Sequence, residues 1–153
     1  MKYLNKLQVL GILFFIFPSY LQGQGCEKKY EEGDCRMELQ KGYRVYSQSG
    51  GYYVNARDTL DLNVVFFGQK EYIFTFCADR ELYPLHFMIY DPMTGSLVYD
   101  NREDRYIESM AIGFDVTRNL LLRITAVGEL ISDGGHEVAS GCLGVLFQYR
   151  NYD

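Results

Sequence analysis

Leu85-His86-Phe87-Met88-Ile89-Tyr90-Asp91-Pro92-Met93-Thr94-Gly95-Ser96-Leu97-Val98-Tyr99 reads as strand, turn, strand. Leu85, Phe87 and Ile89 alternate with His86, Met88 and Tyr90, the period-2 pattern of a half-buried strand. Asp91 suits the first turn position, Pro92 pre-sets φ at the next, and Gly95 accepts positive φ. The stretch is therefore an antiparallel hairpin. Its neighbours on both sides repeat the grammar. Upstream, Tyr43 and Val45 alternate with Arg44 and Tyr46, Ser47 to Gly51 reads as a loop, and Leu60, Leu62, Val64 and Phe66 alternate with Asp61 and Asn63. Gly68-Gln69-Lys70 turns the chain into Tyr72 to Cys77, whose nearly unbroken apolar character marks a central strand. Downstream, Asp100 to Arg105 is a charged loop. Met110, Ile112 and Phe114 make one further strand, and Leu120, Leu122, Ile124 and Ala126 another. A polar loop from Gly128 to Gly141, with Asp133-Gly134-Gly135 at its tip, leads to a last strand from Cys142 to Tyr149.

That makes about eight strands, with turn signals between them and no long helical period. The fold class expected is all-β: a single antiparallel β-sandwich of jelly-roll type. Only Asp34 to Gln40 reads as a short helix, with Asp34 as cap and Gly42 past its end.

The opening of the chain reads as an export signal. Lys2 and Lys6 form a short positive region, an apolar run from Leu7 to Phe17 follows, and Pro18-Ser19 breaks it before Leu21-Gln22-Gly23-Gln24-Gly25. The run is too short for the ~20 residues of a membrane span. The expected organisation is a signal peptide at 1–23, a two-cysteine segment at 24–40 and a β-sandwich at 41–153. No transmembrane segment is expected after cleavage. The expected location is the periplasm, the cell surface or the medium. Removing Lys2 and Lys6 takes the formal charge from −5 to −7. An acidic chain with no basic face argues against nucleic-acid binding. Ten Phe and fourteen Tyr supply a large aromatic core without any Trp.

Cys26, Cys35, Cys77 and Cys142 remain after cleavage, an even set that an oxidising compartment joins as two disulfides in one of three connectivities. Cys26 and Cys35 are near enough in sequence to close a local loop. Cys77 lies opposite the Tyr72, Phe74 and Phe76 face, and Cys142 lies opposite Leu143, Val145, Phe147 and Tyr149. Both thiols therefore face outward, which favours a Cys77–Cys142 bridge worth ~4 kcal/mol on the chain-entropy model. A zinc site needs closely spaced Cys/His, and the chain has no C-x-x-C. Cys26 also sits where a bacterial lipoprotein carries its acylated cysteine, although Leu is missing from its place in Gly23-Gln24-Gly25. An envelope lipoprotein anchored at Cys26 is the alternative this raises.

Catalytic constellations are absent from the sequence. His136-Glu137-Val138-Ala139-Ser140 begins like a zinc-protease helix but lacks the second His. The only other histidine, His86, sits mid-strand on what reads as an exposed sheet face. Ser140-Gly141-Cys142-Leu143-Gly144 is no nucleophile elbow, and its glycines mark a strand entry and a bulge or close packing. Asp100, Glu103 and Asp104 share one loop, with Asp91 and Asp133 in others. Asp100-Asn101-Arg102-Glu103-Asp104 lacks the Gly and distal Glu of a calcium loop, and a carboxylate hydrolase using Asp100 and Asp104 is the least favoured reading. Tyr52 and Tyr53 are the candidate binding surface, for a protein or carbohydrate ligand. No catalytic, cofactor-binding or metal-binding residue is assigned, and no cofactor is expected.

Three stretches carry a family resemblance. Thr59 to Cys77, with Phe67-Gly68-Gln69-Lys70-Glu71-Tyr72-Ile73-Phe74, resembles the opening strands of bacterial pre-peptidase C-terminal (PPC-like) domains. Phe87-Met88-Ile89-Tyr90-Asp91 with Gly95-Ser96-Leu97-Val98-Tyr99-Asp100-Asn101 resembles their central hairpin, and Phe114 with Leu122-Arg123-Ile124 resembles their closing strands. The Gln-Gly-Gln ending of the export signal and the strand-borne cysteines resemble small exported proteins of Bacteroidetes-type bacteria. The resemblance spans Thr59 to Tyr149 and departs at the two-cysteine segment. It implies a jelly roll without catalytic residues, used as an accessory or adhesion module, and brings no site residue with it.

Overall fold

Two antiparallel sheets face each other across an aromatic core in the computed structural model, which describes residues 25–128 and 138–152. The expected export signal, the His136-Glu137 stretch and the Asp133-Gly134-Gly135 loop tip lie outside the described residues. The strands are β1 (Arg44–Val45), β2 (Gly50–Asn55), β3 (Thr59–Phe66), β4 (Lys70–Ala78), β5 (Leu85–Tyr90), β6 (Leu97–Asp100), β7 (Ser109–Phe114), β8 (Arg118–Ala126) and β9 (Ser140–Asn151). One sheet runs β1-β9-β4-β7, with β2 also on β9; the other runs β3-β8-β5-β6.

β1 and β2 occupy successive stretches of the same edge of β9, so nine strands fill eight places. The pairings β2·β9, β3·β8, β4·β7 and β5·β6 are the rungs of one long folded ribbon. Rolling that ribbon brings β4 against β9 and β5 against β8. This is the jelly-roll order expected from the sequence. β4 is central between β9 and β7, and the hairpin turn forms as read: Asp91 Oδ1 accepts the Met93 and Thr94 N–H groups at 2.8 and 3.3 Å, and Gly95 has φ +70°.

Period-2 alternation places Tyr72, Phe74, Phe76, Phe87, Ile89, Leu122, Ile124 and Phe147 in the core, all essentially without exposure. Phe66 is its hub, with its ring against those of Tyr46, Tyr72, Phe74, Phe114 and Phe147 at centroid distances of 4.8–6.4 Å. Stacked and edge-on rings at such spacing add to the area they bury.

Three readings need correction. Gly50-Gly51 is not loop but the start of β2, and Gly51 is there because a Cβ would overlap the Cys26 carbonyl. The short helix, α1, spans Gly33–Met37 with Glu32 as its cap, and no side chain caps it. The disulfides are Cys26–Cys142 and Cys35–Cys77. Cys77 and Cys142 do face outward, but that face is not open. Residues 26–40 lie across it, and each outward thiol meets a cysteine of this cap instead of the other. Gly144, the register partner of Gly51, completes the floor: a Cβ there would stand 2.9 Å from the Cys35 sulfur and 3.0 Å from the Tyr30 nitrogen. The Cys26–Cys142 bond also occupies the sulfur that an acyl anchor would need.

Candidate binding groove

The cap is held by more than sulfur. Gln148 is buried on the outer face of β9, where its Oε1 accepts the Gln40 N–H at 2.7 Å and its Nε2 donates to the Glu38 carbonyl at 2.9 Å. Lys29 pairs with Asp79, and Asp79 accepts the Cys142 N–H at 2.7 Å. Burial pushes the Asp79 carboxyl up, but the Cys142 N–H and Lys29 outweigh it and hold the group below its ordinary value.

The β6–β7 loop folds back over β5, in the other sheet. Its anchor is Asn101, completely buried within a run that reads as solvated charge. Asn101 Nδ2 donates to the Leu85 and Ile107 carbonyls at 2.9 and 3.0 Å, and Oδ1 accepts the Phe87 N–H at 2.9 Å. The main chain at Asn101 also accepts the Tyr106 N–H at 2.8 Å. These bonds hold Arg105 and Tyr106 both at φ +59°, a conformation non-glycine residues adopt only when their surroundings impose it.

This loop corrects the placement of His86. The residue does point away from the core, but it is only 8% exposed because the loop covers it. Its Nε2 lies 2.8 Å from Asp100 Oδ1 and 3.2 Å from Arg102 Nη2, and its ring meets that of Tyr106 edge-on at 6.1 Å. Burial raises the Asp100 carboxyl, and the Arg102 N–H, His86 and the Arg102 guanidinium lower it to a net position below its ordinary value. Asp104 accepts from the Tyr99 hydroxyl at 2.6 Å. Burial, then that bond and the surrounding carboxylates, push the Tyr99 phenol up to about 12. Asp100 and Asp104 thus serve separate partners, and neither lines the groove described next.

Between the cap and this loop lies a half-open groove of about 380 Å³. Asp34 and Glu38 form one wall, Tyr106, Ile107, Glu108 and Ser109 the other, and Thr75, Phe76 and Cys77 the floor. The Cys35–Cys77 bond ties the first wall to the floor, and Thr75 Oγ1 meets Ser109 Oγ at 3.0 Å to tie the second. None of the three carboxylates is ion-paired among the described residues. Burial raises the Glu108 carboxyl, and the like charges of Asp34 and Glu38 raise it further. Among the described residues no group of three or more His, Cys, Asp or Glu is arranged to hold a metal ion, and no helix is long and apolar enough to cross a membrane.

The tyrosine pair does not form one surface. Adjacent residues of β2 point to opposite faces, so Tyr52 packs half-buried against the core while Tyr53 is 57% exposed and donates to Ser140 Oγ at 2.7 Å. The groove escaped the sequence reading because its carboxylates come from segments far apart in the chain. The available signal was a row of small outward residues, Gly51, Thr75, Ser109 and Gly144, which marks a face that something covers.

No family model matches the chain, and no curated protein matches it in sequence. Among solved structures, PliG of Aeromonas hydrophila, a periplasmic inhibitor of g-type lysozyme, matches with a TM-score of 0.47 at 8% sequence identity. The match covers 74% of this chain and 92% of that one.

Proposed function

We propose that the chain is an exported, non-catalytic binding module whose ligand is a protein, gripped through a cationic side chain in the groove between the cap and the β6–β7 loop. Two disulfides support export, because they persist in oxidising compartments. The observation that carries the binding role is the groove itself: a floor and two walls bearing three carboxylates that no cation among the described residues pairs. A lysine or arginine fits that chemistry in both parts. Its apolar stem lies along Ile107 and Tyr106, and its head replaces the missing counter-charge with charge-assisted hydrogen bonds. The acidic net charge steers a basic partner toward the site. The accessory role implied by the PPC-like resemblance agrees with this reading. A carbohydrate ligand is less well served, since Tyr53 presents a single ring whose hydroxyl is already bonded.

The test is calorimetric titration with a short arginine-containing peptide and its citrulline counterpart. The arginine peptide is expected to bind, to weaken with added salt, and to lose about tenfold or more when Asp34→Asn, Glu38→Gln and Glu108→Gln are combined, one factor of ten being ~1.4 kcal/mol. Equal binding of the two peptides, or full affinity in the triple variant, overturns the reading. A thermal melt of the variant confirms that it is folded.

A further inference from the structure

We infer that His86 is a proton-operated latch that sets the position of Arg102 and of the Tyr106 wall of the groove. The inference stands whether or not the groove takes a cationic side chain.

The reason lies in one ring nitrogen with two neighbours of opposite demand. His86 Nε2 is 2.8 Å from Asp100 Oδ1 and 3.2 Å from Arg102 Nη2. A carboxylate can only accept a hydrogen and a guanidinium can only donate one. With a hydrogen on Nε2, the ring bonds Asp100 and opposes Arg102. Without it, the ring accepts from Arg102 and turns a lone pair on Asp100. The neutral imidazole can take either form by tautomer. The imidazolium, with both nitrogens protonated, can take only the first. Adding a proton therefore selects the Asp100 bond and drives the guanidinium away.

The two partners differ in freedom. Asp100 is 16% exposed, and its Oδ1 also accepts the Arg102 N–H at 2.9 Å, so it stays. The Arg102 side chain is 58% exposed, with Nη2 only loosely placed at 3.8 Å from Asp100 Oδ2, so it leaves for solvent. Among the described residues no other charged group is bonded to the ring. From β6 it faces Asp100, and from the loop Arg102 and Tyr106. From β8 it faces Thr125, its register partner, which does not titrate. Arg123, the next outward residue on β8, is held by Asp61, and the next outward residue on β5 is Met88.

The change reaches the groove through Tyr106, whose ring meets His86 on one side and lines the groove on the other. Tyr106 is also one of the two consecutive left-handed residues, a conformation its surroundings must impose, so a change at His86 and Arg102 acts on a strained part of the wall. Imidazole is the side chain whose ordinary charge change falls between about pH 5 and 8, so the latch answers to the acidity of the surroundings.

The experiment is an NMR titration of the folded chain over that range, reading the His86 ring nitrogens, the Arg102 Nε–H and the Tyr106 ring. Arg102 and Tyr106 are expected to shift with the midpoint of His86, and the Arg102 proton to exchange faster with water on the acid side. In His86→Gln the amide donates to Asp100 and accepts from Arg102 at once, so both signals should lose that transition. The latch is overturned if Arg102 and Tyr106 do not respond to His86, if their transition persists in His86→Gln, or if His86 stays neutral throughout.

Discussion

The outer faces of the two sheets began with the same sequence pattern and ended in opposite states. Both turn successive residues to opposite sides with period 2. On the β9–β4 face, the outward residues Thr75, Cys77, Leu146 and Gln148 are all buried, beneath the cap or on the floor of the groove beside it. On the β3–β8 face, the outward Asp61 and Arg123 stand in solvent and bond each other twice, at 2.8 and 2.7 Å. The difference lies in which side chains point outward, small or bonded to the cap on one face and charged or polar on the other, and not in periodicity. The covered face is floored with Gly51, Gly144, Cys77 and Thr75, whereas the open face carries Asp61, Asn63 and Arg123. Alternation tells which residues point outward. Whether outward means water depends on what covers them, and a row of small residues is the mark of a cover.

Four variants put numbers on that contrast. The largest effect belongs to Cys35→Ser with Cys77→Ser, which unties the cap from the central strand. Urea unfolding should show a loss of about 2–5 kcal/mol. Gly51→Val comes next. The new side chain has no space beneath the Cys26 carbonyl, and overpacking of this kind costs ~1–3 kcal/mol. Hydrogen exchange in residues 26–40 should rise with it. Asn63→Val, outward on β3, is the matched control and should stay within about 0.5 kcal/mol. Equal costs at the two sites would erase the distinction between the faces. Gln148→Leu keeps the bulk but strands the Gln40 N–H and the Glu38 carbonyl, for ~1–3 kcal/mol in the same assay.

Asp61→Asn on the open face also has a small effect, ~1 kcal/mol or less, as for other exposed ion pairs. The Arg123 bonds hold the Asp61 carboxyl below its ordinary value. A carboxyl lowered by folding contributes stability above its unfolded pKa of ~4, and that contribution is lost as pH falls through the folded value. The gap between wild type and Asp61→Asn should therefore be present at neutral pH and close in acid. A gap that is constant with pH would mean that the pair's charge is irrelevant.

How far the sequence carries the reader follows the range of the interactions. The β5–β6 hairpin is readable residue by residue, because Asp91, Pro92 and Gly95 act within the turn they make. The facing of Cys77 and Cys142 is readable from period 2, since it depends on strand geometry alone. Their partners are not, because the choice rests on a cap that crosses the sheet from the far end of the chain. His86 shows the same division: its direction could be read, but its burial depends on Asn101 folding a charged loop back over it. Tyr52 and Tyr53 would have been separated onto two faces had Gly50-Gly51 not looked like a turn. The groove combines all of these long-range placements, which is why none of its carboxylates stood out.

The nested connectivity of the two disulfides sets a problem of timing. A chain is made from its N-terminus, so Cys26 must wait for 116 further residues before its partner exists, and Cys35 for 42. During that interval the nearest thiol available to each is the other. A bond formed early between them would leave Cys77 and Cys142 to meet alone and would keep the cap from lying across the glycine floor. The mature arrangement is reached only when such a premature bond is avoided or exchanged. The yield of correctly assembled molecules therefore depends on how quickly the surroundings reshuffle thiols, as well as on how stable the finished sandwich is.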